Sequence, residues 1–207
     1  MKVIFLDIDG VLNCEQGYIN LSCQYVNGPG FRYQKFYPPS KDLLNKLIEE
    51  TGAKIVISSS WRKDGLQRMQ EIWKAEEMSG EVIDTTPSLY LQKGGSIRFW
   101  NGHESKHPTS KIRGYSIPRG CEIEYWLEDR GLRHINWSEE KQDELLTRSG
   151  IENYVIIDDD SDMLYGQINN FVHVHPSPRN KEGFGMHHYN LAKEMLQKTI
   201  TQVTYEK

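Results

Sequence analysis

Apolar residues fall along the chain in two kinds of run, and the two kinds alternate. Residues 3–6 (VIFL), 55–57 (IVI), 154–157 (YVII) and 171–174 (FVHV) form short, nearly continuous stretches. Runs of that length predict strands covered on both faces. Between them, apolar positions recur at helical spacing. Leu43, Leu44, Leu47 and Ile48 share one helix face, with Ser40 placed as the N-cap and Gly52 as the stop. Leu66, Met69, Ile72 and Trp73 mark a second helix, and Ile123, Trp126 and Leu127 a third. Ser138 predicts the cap of another, with Leu145 and Leu146 inward and Gly150 ending it; Leu191, Met195 and Leu196 mark a closing helix. Residues 81–85 predict a short strand. Residues 13–39 read as polar and aromatic loop material, broken at Gly28-Pro29-Gly30. The alternation predicts an α/β fold with a mainly parallel central sheet, and no internal repeat is visible.

A length of 207 residues suits one domain over the whole chain, 1–207, with small cap insertions expected at 13–39 and 80–118. A net charge of -4 argues against a surface that coats nucleic acid generally, but not against a local basic patch. No apolar stretch is long enough to cross a bilayer, so no membrane association is expected. Aspartates interrupt the N-terminal MKVIFLDIDGVL where a signal peptide needs continuous hydrophobicity. The three cysteines, Cys14, Cys23 and Cys121, form no CxxC pair, which suits a reducing, cytoplasmic setting. The seven histidines lack zinc-site spacing.

The chemistry concentrates where apolar strands end. The first runs into Asp7-x-Asp9, the second into Ser58-Ser59-Ser60, and the third into Asp158-Asp159-Asp160 with Asp162 beyond. In a parallel sheet the carboxyl ends of the strands share one edge, so these groups converge despite their separation in sequence. Carboxylates brought together repel unless a cation lies between them, and magnesium prefers such hard oxygen donors. A lone DxDG is an ordinary turn. Three strands ending this way are not explained by turns.

These segments resemble a known superfamily. FLDIDGVL, VISSSWR and YVIIDDDSDM are similar to the first, second and fourth motifs of the haloacid dehalogenase-like (HAD) phosphohydrolases. DIDGVLN, TGAKIVISSSWR, RGCEIEYWL and VIIDDDSDM more closely resemble the branch found in multidomain RNA-repair proteins, and GFG at 183–185 resembles the loop that often closes these domains. The resemblance implies a three-layer Rossmann-like HAD fold. It implies that Asp7 attacks phosphorus to form an aspartyl-phosphate, and that Asp9 protonates the leaving oxygen and later deprotonates water. Ser58 matches the hydroxyl residue of the second motif. Ser59 is a candidate for substrate contact or for capping the next turn, Arg62 for holding a substrate group, and Trp61 for packing. Asp7, Asp9, Asp158 and Asp159 are the expected Mg2+ ligands. The third-motif cation is Arg119 or Lys111. Arg119 is favoured by its place at a helix entrance, Lys111 by the commoner charge type, and Lys111 is also carried as a substrate contact.

Residues 93–119 hold six Lys or Arg against one acid, Glu104, with Tyr90, Phe99, Trp100 and Tyr115 in or beside them. Positive charge with stacking rings suits single-stranded RNA or DNA ends or a nucleotide, with Trp100 as the stacking candidate. The expected function is therefore a magnesium-dependent phosphomonoesterase acting on nucleic-acid 3'-phosphate ends or on nucleotides. The alternatives are a small-metabolite phosphatase or phosphotransferase and, more distantly, a catalytically idle nucleic-acid-binding module. No GxxxxGK[ST] P-loop is present, and no obligate protein partner is evident. The aromatic residues of 13–39 fit either a flap over the site or a plug against the sheet.

Overall fold

The computed structural model describes residues 1–28, 30–91, 97–100, 115–129, 150–175 and 181–198; for 91, 97–100 and 115–116 it describes the backbone alone. In chain order the elements are β1 (Lys2–Leu6), α1 (Glu15–Ile19), β2 (Tyr25–Gly28), β3 (Phe31–Gln34), α2 (Pro38–Thr51), β4 (Lys54–Ile57) and α3 (Leu66–Ala75). There follow β5 (Val82–Thr85), β6 (Ser88–Leu91), β7 (Ile97–Trp100), β8 (Tyr115–Ser116), α4 (Arg119–Asp129), β9 (Asn153–Asp158), β10 (Phe171–His173) and α5 (Met186–Gln197).

Five strands make the central sheet, in the order β10-β9-β1-β4-β5, and every pairing is parallel. The strand sequences are continuously apolar because each face carries helices. Ile4, Leu6, Ile55, Ile57, Val155 and Ile157 meet α2, α3 and α5 on one side. Val3, Phe5, Val56, Tyr154 and Ile156 meet Ile123, Trp126 and Leu127 of α4 on the other. The result is a three-layer α/β fold. Phe5 is fully buried, a burial worth about 1.5–3 kcal/mol. Trp126 closes edge-on over it at 5.2 Å and donates its indole N–H to Asp84 at 2.8 Å.

Several sequence expectations are corrected. α2 begins at Pro38, not at Ser40: proline at the first helical position has the right φ and needs no N–H partner. Ser40 lies inside the helix, buried, and its hydroxyl donates to the Glu182 carbonyl at 2.8 Å. Residues 13–39 are not bare loop. They contain α1 and an antiparallel β2–β3 pair, in which Gly28 pairs with Phe31. Val82–Thr85 forms the expected short strand and pairs with β4 at the edge of the central sheet. After it comes a separate three-stranded antiparallel sheet, order β7-β6-β8. The helix expected after Ser138, and most of the basic 93–119 segment, lie outside the described residues.

Candidate active site

Strand register brings the chemistry together. Leu6 pairs with Ile57 on one side and with Ile157 on the other. The next residue of each strand, Asp7, Ser58 and Asp158, therefore stands level at the carboxyl edge of the three adjacent central strands. The ladder continues through the first of these positions: Asp7 N–H donates to Ile157 O at 3.0 Å and Ser58 N–H to Leu6 O at 2.8 Å. All three side chains are buried.

Arg119, the first residue of α4, reaches into this edge. Its Nη1 donates to Asp7 Oδ1 at 2.8 Å and also to the Ser58 carbonyl, and its Nε lies 3.3 Å from Asp158 Oδ2. The Arg119 backbone N–H donates to Asp162 Oδ2 at 2.8 Å, while the Gly120 N–H meets the Asp162 carbonyl at 3.2 Å. Asp162 thus caps the helix that presents the guanidinium, with its negative charge at the positive end of the helix dipole. Gly120 makes the close approach possible: a Cβ there would sit 2.5 Å from the Leu164 backbone nitrogen.

Asp7, Asp158 and Asp159 each offer a carboxylate oxygen within 4.8 Å of the others. Gly10, at φ +75°, admits the Asp159 carboxylate, whose Oδ2 occupies the space a Cβ at residue 10 would take. Three carboxylates against one guanidinium leave an excess of negative charge equal to one divalent cation. Burial pushes the Asp7 carboxyl above the ordinary range, against the pull of Arg119 and the Ser59 hydroxyl. Burial and the Asp7 charge push Asp158 up to about 8 and Asp159 up to about 7. For Arg119, burial alone would lower the pKa, but the charges of Asp7 and Asp158 outweigh it and raise the value. Asp158 Oδ2 is buried with no hydrogen bond among the described residues. An all-oxygen donor set with spare lone pairs and surplus charge fits a hard divalent cation.

The Asp9 side chain, expected among the metal ligands, is not in this cluster. Its carboxylate turns to the turn after β4, where Trp61 Nε1 donates to both oxygens at 3.1 and 3.0 Å and Ser60 Oγ donates at 3.4 Å. Trp61 is therefore more than packing. Ser59 caps that turn by accepting the Trp61 N–H at 3.4 Å, and its hydroxyl also faces Asp7. Ser58 Oγ accepts from Thr86 Oγ1 at 3.4 Å. Lys111 lies outside the described residues, and Trp100 is placed only by its backbone, as the partner of Ser88.

A model of the HAD domain in Swiss Army Knife RNA repair proteins matches residues 3–179. The chain belongs to this HAD family. No curated protein and no solved structure matches it. Membership supports hydrolase activity in general for this HAD domain. Among the described residues, no helix is long and apolar enough to cross a membrane.

One buried pair in the HAD domain had no sequence signal. Arg62 is nine-tenths buried and donates through Nη2 to Glu122 Oε2 and through Nη1 to the Ser59 carbonyl at 2.6 Å. The other Glu122 oxygen accepts the Leu89 N–H of β6 at 2.8 Å. Glu122 thereby joins the serine turn, α4 and the antiparallel sheet. Burial pushes its carboxyl up, and Arg62 opposes that. Arg62 is the sequence's candidate for holding a substrate group. Its guanidinium is engaged internally, although it still lines a cleft of about 280 Å3 with Ser60, Lys63, Ser88, Arg119 and Asp160.

Proposed function

We propose that this HAD domain is a magnesium-dependent phosphomonoesterase that works through an aspartyl-phosphate on Asp7 and acts on nucleic-acid 3'-phosphate ends or nucleotides. The observation that carries the reading is the buried Asp7 carboxylate, bracketed by the Arg119 guanidinium at 2.8 Å and by Asp158 and Asp159 at ligand spacing. The RNA-repair context of the family supports a phosphorylated nucleic-acid substrate.

Mg2+, held by Asp7, Asp158 and Asp159, would neutralise the phosphoryl oxygens as a Lewis acid. One Asp7 oxygen attacks phosphorus while Arg119 fixes the other, and the bond from phosphorus to the leaving oxygen breaks. Asp9 gives that oxygen its proton. Water then attacks the phosphorus of the aspartyl-phosphate and loses its proton to Asp9, releasing inorganic phosphate and restoring both carboxyl groups. Ser58 would hold a phosphoryl oxygen, with help from neighbouring backbone amides.

The direct screen measures phosphate release from 3'- and 5'-phosphorylated oligonucleotides, nucleoside monophosphates and sugar phosphates. Release is expected to be fastest from 3'-phosphorylated ends, to vanish with a chelator and to return with Mg2+. Chelator-resistant turnover, or a clear preference for sugar phosphates, would contradict the proposal.

A stability prediction follows from the raised carboxyl groups. In the metal-free chain the folded values for Asp158 and Asp159, about 8 and about 7, exceed the ordinary 3.8, so the folded state keeps protons the unfolded state has released. This contribution is fully present below pH 3.8 and is lost as pH rises through 7 and 8. The Tm of metal-free protein should therefore fall between about pH 5 and about pH 8.5. Saturating Mg2+ should raise Tm far more at the upper pH, because the cation replaces those protons. Thermal scans with and without Mg2+ measure this. An Mg2+ shift that is equal at both pH values, or absent, would count against the carboxylate site.

A further inference from the structure

Two hollows flank the site, and they differ in chemistry. The cleft beside Arg119 is lined chiefly by charged and hydroxyl groups. The second, of about 300 Å3, has Asp9 and Asp64 in its wall, and four rings line it: Trp61 from the turn after β4, and Tyr25, Phe31 and Tyr33 from the β2–β3 hairpin. Arg32 and Arg68 also line it.

The rings are held in place without being fully covered. Trp61 is anchored through its indole N–H on Asp9. Phe31 carries the Arg68 guanidinium at 3.8 Å over its ring, and Tyr25 carries that of Arg32 at 5.0 Å. Tyr25 remains 60% exposed. Packing explains Tyr33, which is buried and donates its hydroxyl to Glu76 at 2.9 Å. It accounts in part for Phe31 and Trp61, which lie half-buried against the core, but not for the exposed Tyr25 in the wall of the same hollow as Asp9.

We infer that this hollow receives the nucleoside of the leaving group, with the base stacked among Trp61, Tyr25 and Phe31 and the ribose toward Asp9. The inference rests on the phosphomonoesterase reading, because it takes Asp9 as the group that protonates the leaving oxygen. The organic part of the substrate must then extend from Asp9, away from the Asp7, Asp158 and Asp159 cluster that faces the phosphoryl group. Of the two hollows, the one with Asp9 in its wall is the one bounded by rings. A sugar phosphate or short aliphatic ester has no π face and gains little there, whereas every nucleobase has one. Arg32 supplies positive charge beside the base, where a preceding phosphodiester would run, while Arg68 is paired with Glu71 at 2.8 Å. The hairpin thus contributes substrate selection that the sequence pattern had assigned to residues 93–119 alone.

The test compares kcat/KM for adenosine 3'-monophosphate and glycerol 2-phosphate in wild type, Tyr25→Ala and Tyr25→Phe. Losing one stacking ring should cost the nucleotide about 5- to 150-fold in Tyr25→Ala, with a much smaller loss on glycerol 2-phosphate. Tyr25→Phe, which keeps the π face, should stay near wild type. Equal losses on both esters, or a Tyr25→Phe variant as poor as Tyr25→Ala, would overturn the assignment. A second readout separates the site from the reaction: adenosine titrated into Asp7→Asn protein should quench tryptophan fluorescence saturably, and Tyr25→Ala in that background should weaken the quenching. If adenosine binds in this way but no ester is hydrolysed, the phosphatase reading fails and the nucleoside site stands. Absence of saturable quenching overturns the site, whichever esters are hydrolysed.

Discussion

Asp7→Asn is expected to reduce phosphate release by about 10^4- to 10^6-fold, the scale of losing a covalent nucleophile. The substitution keeps the side-chain shape and both polar positions but removes the charge that attacks phosphorus. Misfolding is not expected to be the cause. In the metal-free chain the Asp7 charge raises the pKa values of Asp158 and Asp159, so removing it relieves repulsion among three crowded carboxylates. Metal-free Asp7→Asn protein at about pH 8 should melt no lower than wild type, and a thermal scan run beside the assay checks that. Asp9→Asn should also lose turnover, while an inert substrate analogue still binds. Retention of activity within about tenfold in Asp7→Asn would remove the nucleophile from the account.

Arg119→Ala should carry the second large loss, about 10^3-fold in kcat, by analogy with other arginines that meet transferring phosphoryl groups. Three contacts disappear together: those to Asp7 Oδ1, to the Ser58 carbonyl and to Asp158 Oδ2. Asp7 then loses both the group that fixes its orientation and the charge that opposes its protonation. The deficit should appear in kcat and not in the Mg2+ concentration needed for half activation, because removing a cation makes the carboxylate cluster more attractive to a divalent ion. Arg119→Lys should recover part of the activity, since an ammonium replaces the charge but cannot bridge two carboxylates as a planar guanidinium does. Lys111→Ala should cost much less. Steady-state kinetics of the three variants across an Mg2+ series decide this. Loss of activity in Lys111→Ala with only a weak effect in Arg119→Ala would exchange the two assignments.

The central architecture was legible because burial on both faces leaves a strong trace. Residues 3–6, 55–57 and 154–157 are unbroken apolar runs under helices on both faces, and the candidate catalytic residues begin directly after each run. Convergence of Asp7, Ser58 and Asp158 follows from parallel pairing alone. The β2–β3 hairpin was not legible: one side is exposed, so Phe31, Tyr33 and Val26 alternate with polar residues over strands of only four positions. Ser40 resembled a cap because serine usually caps, yet the two prolines before it start the helix earlier. Trp61 read as packing since an indole is mostly apolar, and nothing in SSSWR indicates that its N–H turns to Asp9. Nothing in the sequence around Ile123 marks Glu122 as buried. Its burial becomes intelligible only once Arg62, sixty residues away, is seen opposite.

The most direct test of the account traps the covalent intermediate. Protein turning over a 3'-phosphorylated oligonucleotide with Mg2+ is quenched in denaturant, reduced with borohydride and mapped by peptide mass spectrometry. Borohydride reduces an acyl phosphate to the alcohol and leaves free carboxylates untouched. The account predicts reduction of the Asp7 side chain, dependent on both substrate and Mg2+. Active turnover with Asp7 unreduced and the acyl phosphate found on Asp9, Asp158 or another residue would contradict it.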